Sequence, residues 1–268
     1  MVMDIKILGS GATHPIPKPC CSCRLCEEAR SEMKPPNMRT GPSLFIEDLN
    51  ALIDTSQDIS FQLNRESIEK VDRIFYTHFH PDHTMGMMVI NQLAGSYEDV
   101  DGSVDVIFPE GVLDDLRDKN LSGMIDYYTN TGLAEVEKDF NAKEFGEIEI
   151  KAVPLEEPNT YGYTLEDDRK IFYAPCDLTD FDLKQVSEQE IFILEFGGLE
   201  MDNFENPEEI TDFYRVFENL KEINPEKVVF THIEENRGMT HEELEDFASE
   251  LEDEANFEVF FSFDGMRI

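Results

Sequence analysis

The chain has 268 residues, 40% of them hydrophobic, enough for a real core in one large domain. Fifty-nine acidic residues face 22 basic ones, a formal net charge of -37, which argues against broad binding to duplex DNA because neutralising phosphates needs a basic footprint. No apolar run reaches the ~18 residues that span a bilayer, and charges interrupt the opening Met1–Lys6 where an export signal keeps its apolar stretch. A cytoplasmic, soluble protein with no membrane partner is expected. Taken in chain order, Asp4–Leu8 alternates as a strand should, and Gly9-Ser10-Gly11 reads as a tight turn. A Pro- and Cys-rich loop follows to about Pro42. Ser43–Glu47 and Ala51–Asp54 read as strands, and Val71–Thr77 is a strand that leads straight into histidines. Asp105–Phe108 is another, after which Pro109 is expected to open a helix. Residues 112–145 look mostly helical. Ile148–Val153, Tyr161–Leu165, Lys170–Tyr173 and Ile191–Glu195 are strand candidates. Asn206-Pro207 reads as a helix start, with Ile210, Phe213, Tyr214, Phe217 and Leu220 at helical spacing until Asn224-Pro225. Lys227–Thr231 is a strand. Thr240 and Glu243 form a capping box for a helix with the apolar stripe Leu244, Phe247, Ala248 and Leu251, and Glu258–Phe261 is a last strand.

Strands come first in hairpin-like runs and then alternate with helices, twice. Two sheets packed face to face with helices outside satisfy that order, a four-layer αββα sandwich of the α+β class. A doubly wound sheet is the competitor, but Gly9-Ser10-Gly11 runs into a Pro/Cys loop rather than a helix, so a dinucleotide fingerprint lacks its context. The charge is uneven. Residues 1–41 hold six Lys/Arg and four Asp/Glu, leaving 16 of the 22 basic and 55 of the 59 acidic residues to the remainder. That pattern suits an anionic ligand bound near the N-terminal segment. The acidic excess suits a molar-salt interior, where screening over ~3 Å removes most self-repulsion.

The strongest chemical signal is Thr77-His78-Phe79-His80-Pro81-Asp82-His83, which holds three of the six histidines. Imidazoles bind divalent transition metals, and a carboxylate adds charge and can bridge. Residues two apart at a strand end project the same way, so His78 and His80 can grip one ion while Asp82 and His83, past a turn, face a second. Cys20, Cys21, Cys23 and Cys26 crowd into seven residues. Their spacing suits a structural zinc at Cys21, Cys23 and Cys26 within a loop over 18–42, and a cytosolic disulfide suits it less. Arg39, with Thr40, Gly41 and Ser43, could offer donors to a phosphate. Cys176 reads as a small buried residue.

The His-x-His-x-Asp-His run resembles the signature of the metallo-β-lactamase superfamily. Within it the chain is most similar to the phosphoribosyl cyclic phosphodiesterases of the carbon–phosphorus lyase pathway and their relatives. That likeness runs nearly end to end, through the Gly9–Gly11 opening, Cys21–Cys26, the segment around Arg39, Leu52-Ile53-Asp54, Thr160–Tyr163, Thr231-His232 and Phe263-Asp264-Gly265-Met266. It implies Asp177 as a carboxylate bridging two metals and His232 as a ligand of the second. It also implies a single hydrolase domain, 1–268, with two active-site divalent ions (zinc or manganese) and one structural zinc. The expected reaction is attack of a metal-activated hydroxide on a small phosphodiester, with Asp82 and Asp177 as catalytic carboxylates. An RNA 3′-processing endonuclease, or a non-catalytic binding member of the fold, are the rivals, and a homodimer is compatible with the sequence.

Three departures stand out. Where the relatives have a histidine completing the first metal site, Pro154–Asn159 has none, and Glu156 aligns best as a substitute ligand. Where they carry a catalytic histidine, Phe196–Pro207 has none, so leaving-group protonation falls to His14, a water or a carboxylate. Where they add a histidine to the three thiols, this chain has Glu235, so Cys20 or water is the expected replacement. His241 is expected to be a first-turn helix residue.

Overall fold

The computed structural model describes residues 3–94, 102–201 and 212–268. Its first half contributes β1 (Ile5–Gly9), α1 (Arg24–Glu32), β2 (Ser43–Ile46), β3 (Ala51–Ile53), α2 (Ile59–Arg65), β4 (Arg73–Phe75), α3 (Pro81–Thr84) and α4 (Val89–Ala94). It continues with β5 (Val104–Pro109), α5 (Val112–Asp118), α6 (Gly123–Asn130) and β6 (Ala134–Phe140). The second half adds β7 (Ala142–Phe145), β8 (Ile148–Pro154), β9 (Tyr161–Glu166), β10 (Lys170–Ala174) and β11 (Ile191–Glu195). It ends with α7 (Asp212–Ile223), β12 (Lys227–Thr231), α8 (His241–Glu254), β13 (Glu258–Phe261) and β14 (Met266–Arg267). Among the described residues the strands form two seven-stranded sheets, ordered β14-β1-β2-β3-β4-β5-β6 and β13-β12-β11-β10-β9-β8-β7.

The twofold period of a strand decides which side chains go where. In β10, Ile171 and Tyr173 turn toward the space between the sheets, while Phe172 and Ala174 turn toward the outer helices. In β12, Val229 faces inward and its neighbours Val228 and Phe230 face outward. In the first sheet, Phe75 points in while Ile74 and Tyr76 meet the other helix layer. Both faces of each central strand are therefore buried. This is why these segments read as near-continuous apolar runs, as parallel strands covered on both sides do. The result is the expected four-layer αββα sandwich. α7 presents Phe213, Val216, Phe217 and Leu220 at helical spacing to its sheet. α8 starts at the predicted capping box, with Thr240 and Glu243 exchanging side-chain and backbone hydrogen bonds.

Several expectations give way. The Cys-rich loop contains α1. Pro109 closes β5 rather than opening a helix. The break falls at Gly111, whose φ of 78° and approach to Asn159 (an added Cβ would lie 2.1 Å from its side-chain oxygen) no other residue accommodates. Of 112–145, only α5 and α6 are helical, and the later part forms β6 and β7, with turns between. These strands lie at the ends of the two sheets, where charged side chains are tolerated and protective, so β6 (AEVEKDF) carries little alternation for a reader to find. Gly9–Gly11 is a chain crossing rather than a tight turn. Gly11 N donates to Thr40 O at 2.8 Å and Ser10 O accepts from Ile233 N at 2.9 Å, and a Cβ on Gly9 would strike Gly41 O at 1.9 Å. The proposed helix start at Asn206-Pro207, and Ile210, lie outside the described residues.

Candidate metal centre

The strands whose ends matter run parallel to their neighbours. β3 pairs with β4 in parallel (Ile53↔Phe75), as β10, β11 and β12 do with one another (Tyr173↔Ile193, Leu194↔Phe230). Their carboxyl ends share a rim, the usual place for a ligand in a parallel sheet. Continued by one residue, the β3–β4 register sets Asp54 opposite Tyr76, so that its carboxylate reaches Thr77. Asp54 is fully buried, and it accepts from Thr77 N and Thr77 Oγ1, both at 2.8 Å, and from His83 Nδ1 at 2.7 Å. Since the Thr77 hydroxyl gives its one proton to Asp54, it must accept from His78 Nδ1 at 2.8 Å. Asp54 thus settles two tautomers at once. His83 and His78 both keep their Nε2 lone pairs, and these face the rim.

Pro81 occupies the first turn of α3, which folds Asp82 and His83 back over the strand end. From the other sheet come Cys176 and Asp177, just past β10, and His232, just past β12. Asp54, Asp177 and His232 all have left-handed backbones (φ 63°, 59° and 57°), a conformation that short polar side chains and histidine tolerate best. Three such residues at one rim mark a site where backbone comfort yields to side-chain placement.

His78 Nε2 lies 2.8 Å from His80 Nδ1. Asp82 Oδ2 lies 3.5 Å from His83 Nε2 and 3.3 Å from His232 Nε2, and it accepts from Thr13 Oγ1 at 3.0 Å. Cys176 Sγ lies 3.5 Å from both His83 Nε2 and His232 Nε2. Two ligand groups result: His78, His80, Cys176 and Asp177, and His83, Cys176 and His232, with ligand atoms within 4.8 Å of one another in each. Burial holds the His78 imidazole well below its ordinary pKa. Burial also pushes up the Cys176 thiol and the Asp177 carboxyl. Burial raises the half-buried Asp82 carboxyl, but a hydrogen bond from His232 and the charge that His83 and His232 would carry if protonated hold it far below the usual carboxylate range.

This donor set fits divalent metal ions. Imidazole nitrogens face one another with little but sulfur and carboxylate between them. Asp177 Oδ2 and His232 Nδ1 are buried with no hydrogen-bond partner in the protein, a costly state for polar atoms. A cation among the facing lone pairs would give Asp177 Oδ2 a partner. Beside Asp177 opens a cleft of about 310 Å³, lined by Glu156, Glu157, Pro158, Thr179 and Asp180.

The remaining candidates are placed differently. Glu156 is exposed and lines the cleft without joining either ligand group among the described residues. His14 is 46% exposed and faces Glu235 at 3.7 Å and Glu234 at 4.0 Å. Its neighbour Thr13, not His14, reaches Asp82. Arg39, expected at a phosphate, is a correction. Only 2% exposed, it spends its guanidinium on Ser10 Oγ, the Ser262 carbonyl and His241 Nδ1, and so belongs to the framework. His241 is the first residue of α8, as expected. Cys21, Cys23 and Cys26 do form a group within 4.8 Å at the start of α1. Cys20 is exposed and outside it, and Glu235 pairs with Lys18 Nζ at 2.6 Å.

Sequence reasoning missed Asp54 as an orienting group, Thr13, and above all Cys176. Asp54 had a signal, an acid ending a buried strand. Cys176 had none beyond adjacency to Asp177.

A family model for the β-lactamase superfamily domain matches residues 49–233. A solved diphosphatase of the PhnP family is 21% identical with a TM-score of 0.69, covering 100% of this chain and 97% of that one. Zn²⁺-bound PqqB from Methylobacterium extorquens is 16% identical with a TM-score of 0.73, covering 99% of each chain. Human tRNase Z, short form, is 16% identical with a TM-score of 0.62, covering 99% of this chain and 98% of that one. Among curated proteins, an octanoyltransferase of Porphyromonas gingivalis is 31% identical over 119 residues, 44% of this chain. The matched stretch is 23% of that protein's length, so the chain spans about a quarter of it. The structural likenesses speak to fold.

Proposed function

From the premise that the chain belongs to the β-lactamase superfamily, we propose that it is a metal-dependent hydrolase acting on a small phosphodiester, cyclic ones included. The observation that carries this reading is the meeting of His78, His80, Asp82, His83, Asp177 and His232 at one rim, from the ends of β4, β10 and β12. His78, His80 and Asp177 would hold one divalent ion, and Asp82, His83 and His232 a second, zinc or manganese. Such a pair, when bound, lowers the pKa of a water molecule and offsets charge building on the reacting centre. Asp54 keeps the His83 and His78 lone pairs aimed inward without further rearrangement. Thr13 fixes Asp82. The Asp177 carboxylate oxygen not engaged by the ion would take a proton from the attacking water.

Charge narrows the substrate. Glu156, Glu157 and Asp180 on the cleft walls disfavour a polyanion and leave room for a ligand with one phosphodiester charge. That counts against RNA despite the fold shared with tRNase Z. The PhnP-family diphosphatase supports phosphorus chemistry. Cys21, Cys23 and Cys26 are proposed to hold one structural zinc that pins the N-terminal loop beside the rim, in a reducing, cytoplasmic setting.

The test is hydrolysis of bis(p-nitrophenyl) phosphate with manganese or zinc in molar KCl. His80→Ala is expected to lose at least ~100-fold in rate, since metal-borne stabilisation is worth several kcal/mol. Equal rates for the two proteins would sink the proposal. A non-catalytic binding member of the fold is the second reading, favoured by the exposed Glu156 where a further ligand was expected. Two ions per chain besides the structural zinc support the enzyme; one or none supports the binder.

A further inference from the structure

We propose that Cys176 is itself a metal ligand, its sulfur shared between the two ions of the histidine corner. The inference rests on reading that corner as a metal centre, and it deepens that reading. Cys176 is the one residue common to both ligand groups. A buried thiol that merely fills space has aliphatic neighbours, whereas this Sγ lies 3.5 Å from two imidazole nitrogens, His83 Nε2 and His232 Nε2. Both imidazoles come from different elements, and one is tautomer-locked by Asp54 with its lone pair toward the sulfur.

Coordination arithmetic agrees. Zinc takes about four ligands. His78, His80 and Asp177 supply three to one ion, and Cys176 makes the fourth. Asp82, His83 and His232 supply three to the other, the same sulfur is its fourth, and zinc can expand to five ligands when the water to be activated binds. On binding, the thiol gives its proton to solvent and the thiolate donates an electron pair to each ion. Thiolate is a soft donor, so the pair of sites should prefer zinc over manganese, opposite to what a carboxylate at Glu156 would favour.

The experiment loads the full chain with Co²⁺ in molar KCl and reads its absorption. Imidazole and carboxylate ligation gives visible bands, and thiolate ligation adds a near-ultraviolet charge-transfer band. Because Cys21, Cys23 and Cys26 would contribute their own thiolates, the comparison is made in a background where all three are serine. Cys176→Ser in that background is expected to abolish the charge-transfer band, keep visible bands, and weaken Co²⁺ binding at least tenfold. An unchanged charge-transfer band and affinity would overturn the proposal. Should the triple background fail to fold, the same substitution in the otherwise unaltered chain decides. Lower charge-transfer intensity at preserved visible intensity supports ligation, and an identical spectrum refutes it. If the background protein shows no visible bands at all, the metal-centre reading itself has failed. Hydrolysis is not read, so an inactive but cobalt-binding chain leaves this result intact.

Discussion

The histidine corner and the cysteine corner gather metal-type donors by opposite means. In the first, the donors leave strand ends embedded in two sheets, and the second nitrogens of His78 and His83 are tied off by Thr77 and Asp54. In the second, three thiols surround the start of the nine-residue helix α1, with Cys23 exposed and Cys21 half-buried. Backbone donors hold them: Lys18 N to Cys26 Sγ at 3.2 Å, Cys23 N to Cys21 Sγ at 3.5 Å, and the amides of Leu25 and Cys26 to the Cys23 thiol. The contrast teaches where the cost of organisation falls. The histidine donors are oriented by side chains anchored in the sheets, whereas the thiols are oriented by backbone groups of their own loop.

The comparison breaks most violently at what the two corners share. Asp264, 3% exposed, accepts from Ser10 N and Oγ at 2.8 Å, from Thr40 N at 2.9 Å and Oγ1, and from Arg65 Nη1 at 2.8 Å. It thereby holds both ends of the Cys-bearing loop against the sheet. Asp264→Ala leaves the buried Ser10 and Thr40 donors unpaired and takes one partner from Arg65, which keeps Glu66 and the Leu8 carbonyl, and should cost about 3–5 kcal/mol in chemical denaturation. A loss under ~1 kcal/mol would show that the loop is anchored elsewhere.

Asp54→Asn sharpens the contrast at the histidine corner alone. Removing the charge that orients His83 should weaken metal binding there by about 10–100-fold, measured by chelator competition, and leave the thiol trio's affinity untouched. A drop at both sites would mean that the corners are coupled. Chelation should separate them from the other side. Stripped of metal, the chain should be cut by protease within residues 18–38 about tenfold faster, while its melting temperature falls only slightly, because local opening draws on few buried contacts. Cleavage spread evenly over the chain would contradict a locally organised corner.

The smallest effect lies behind both. Burial and the neighbouring Arg39 charge lower His241 from 6.5 to about 4. The unfolded chain therefore binds a proton that the folded one refuses between those values. Stability from this group is complete above pH 6.5, declines as pH falls toward 4, and flattens below. His241→Gln should flatten that part of the melting-temperature profile against pH. Parallel profiles would place His241 in a more open setting.

Much of the site was legible because its strongest part is local. His78 to His83 fall within six residues directly after an apolar strand, and both facts are visible in one line of sequence. Asp177 and His232 were reached only through the family likeness, since a lone acid or histidine after a strand has no signature. The sheets were legible where strands are buried on both faces, as in Lys227–Thr231. They were illegible at β6 and β7, where edge position loads the strand with charge. Arg39 was misread because a basic residue among glycines looks like a phosphate donor. Only the three-dimensional meeting with Ser262 and His241 reveals that its donors are already used. Cys176 was invisible for a related reason, since adjacency in sequence says nothing about which nitrogens a sulfur will meet.

The pairing of β1 with β14, Ile7 opposite Met266 and Lys6 opposite Arg267, has a consequence for how the molecule is made. The strand that leaves the ribosome early gains its outer neighbour, and Asp264 its grip on Ser10 and Thr40, only when the codons for 264–267 have been read. Until then β1 offers an unpaired backbone edge to whatever passes, the kind of surface that nucleates misassembly. A stall or premature stop a few codons short of that point would yield a polypeptide with every metal-corner residue present and its first strand still open.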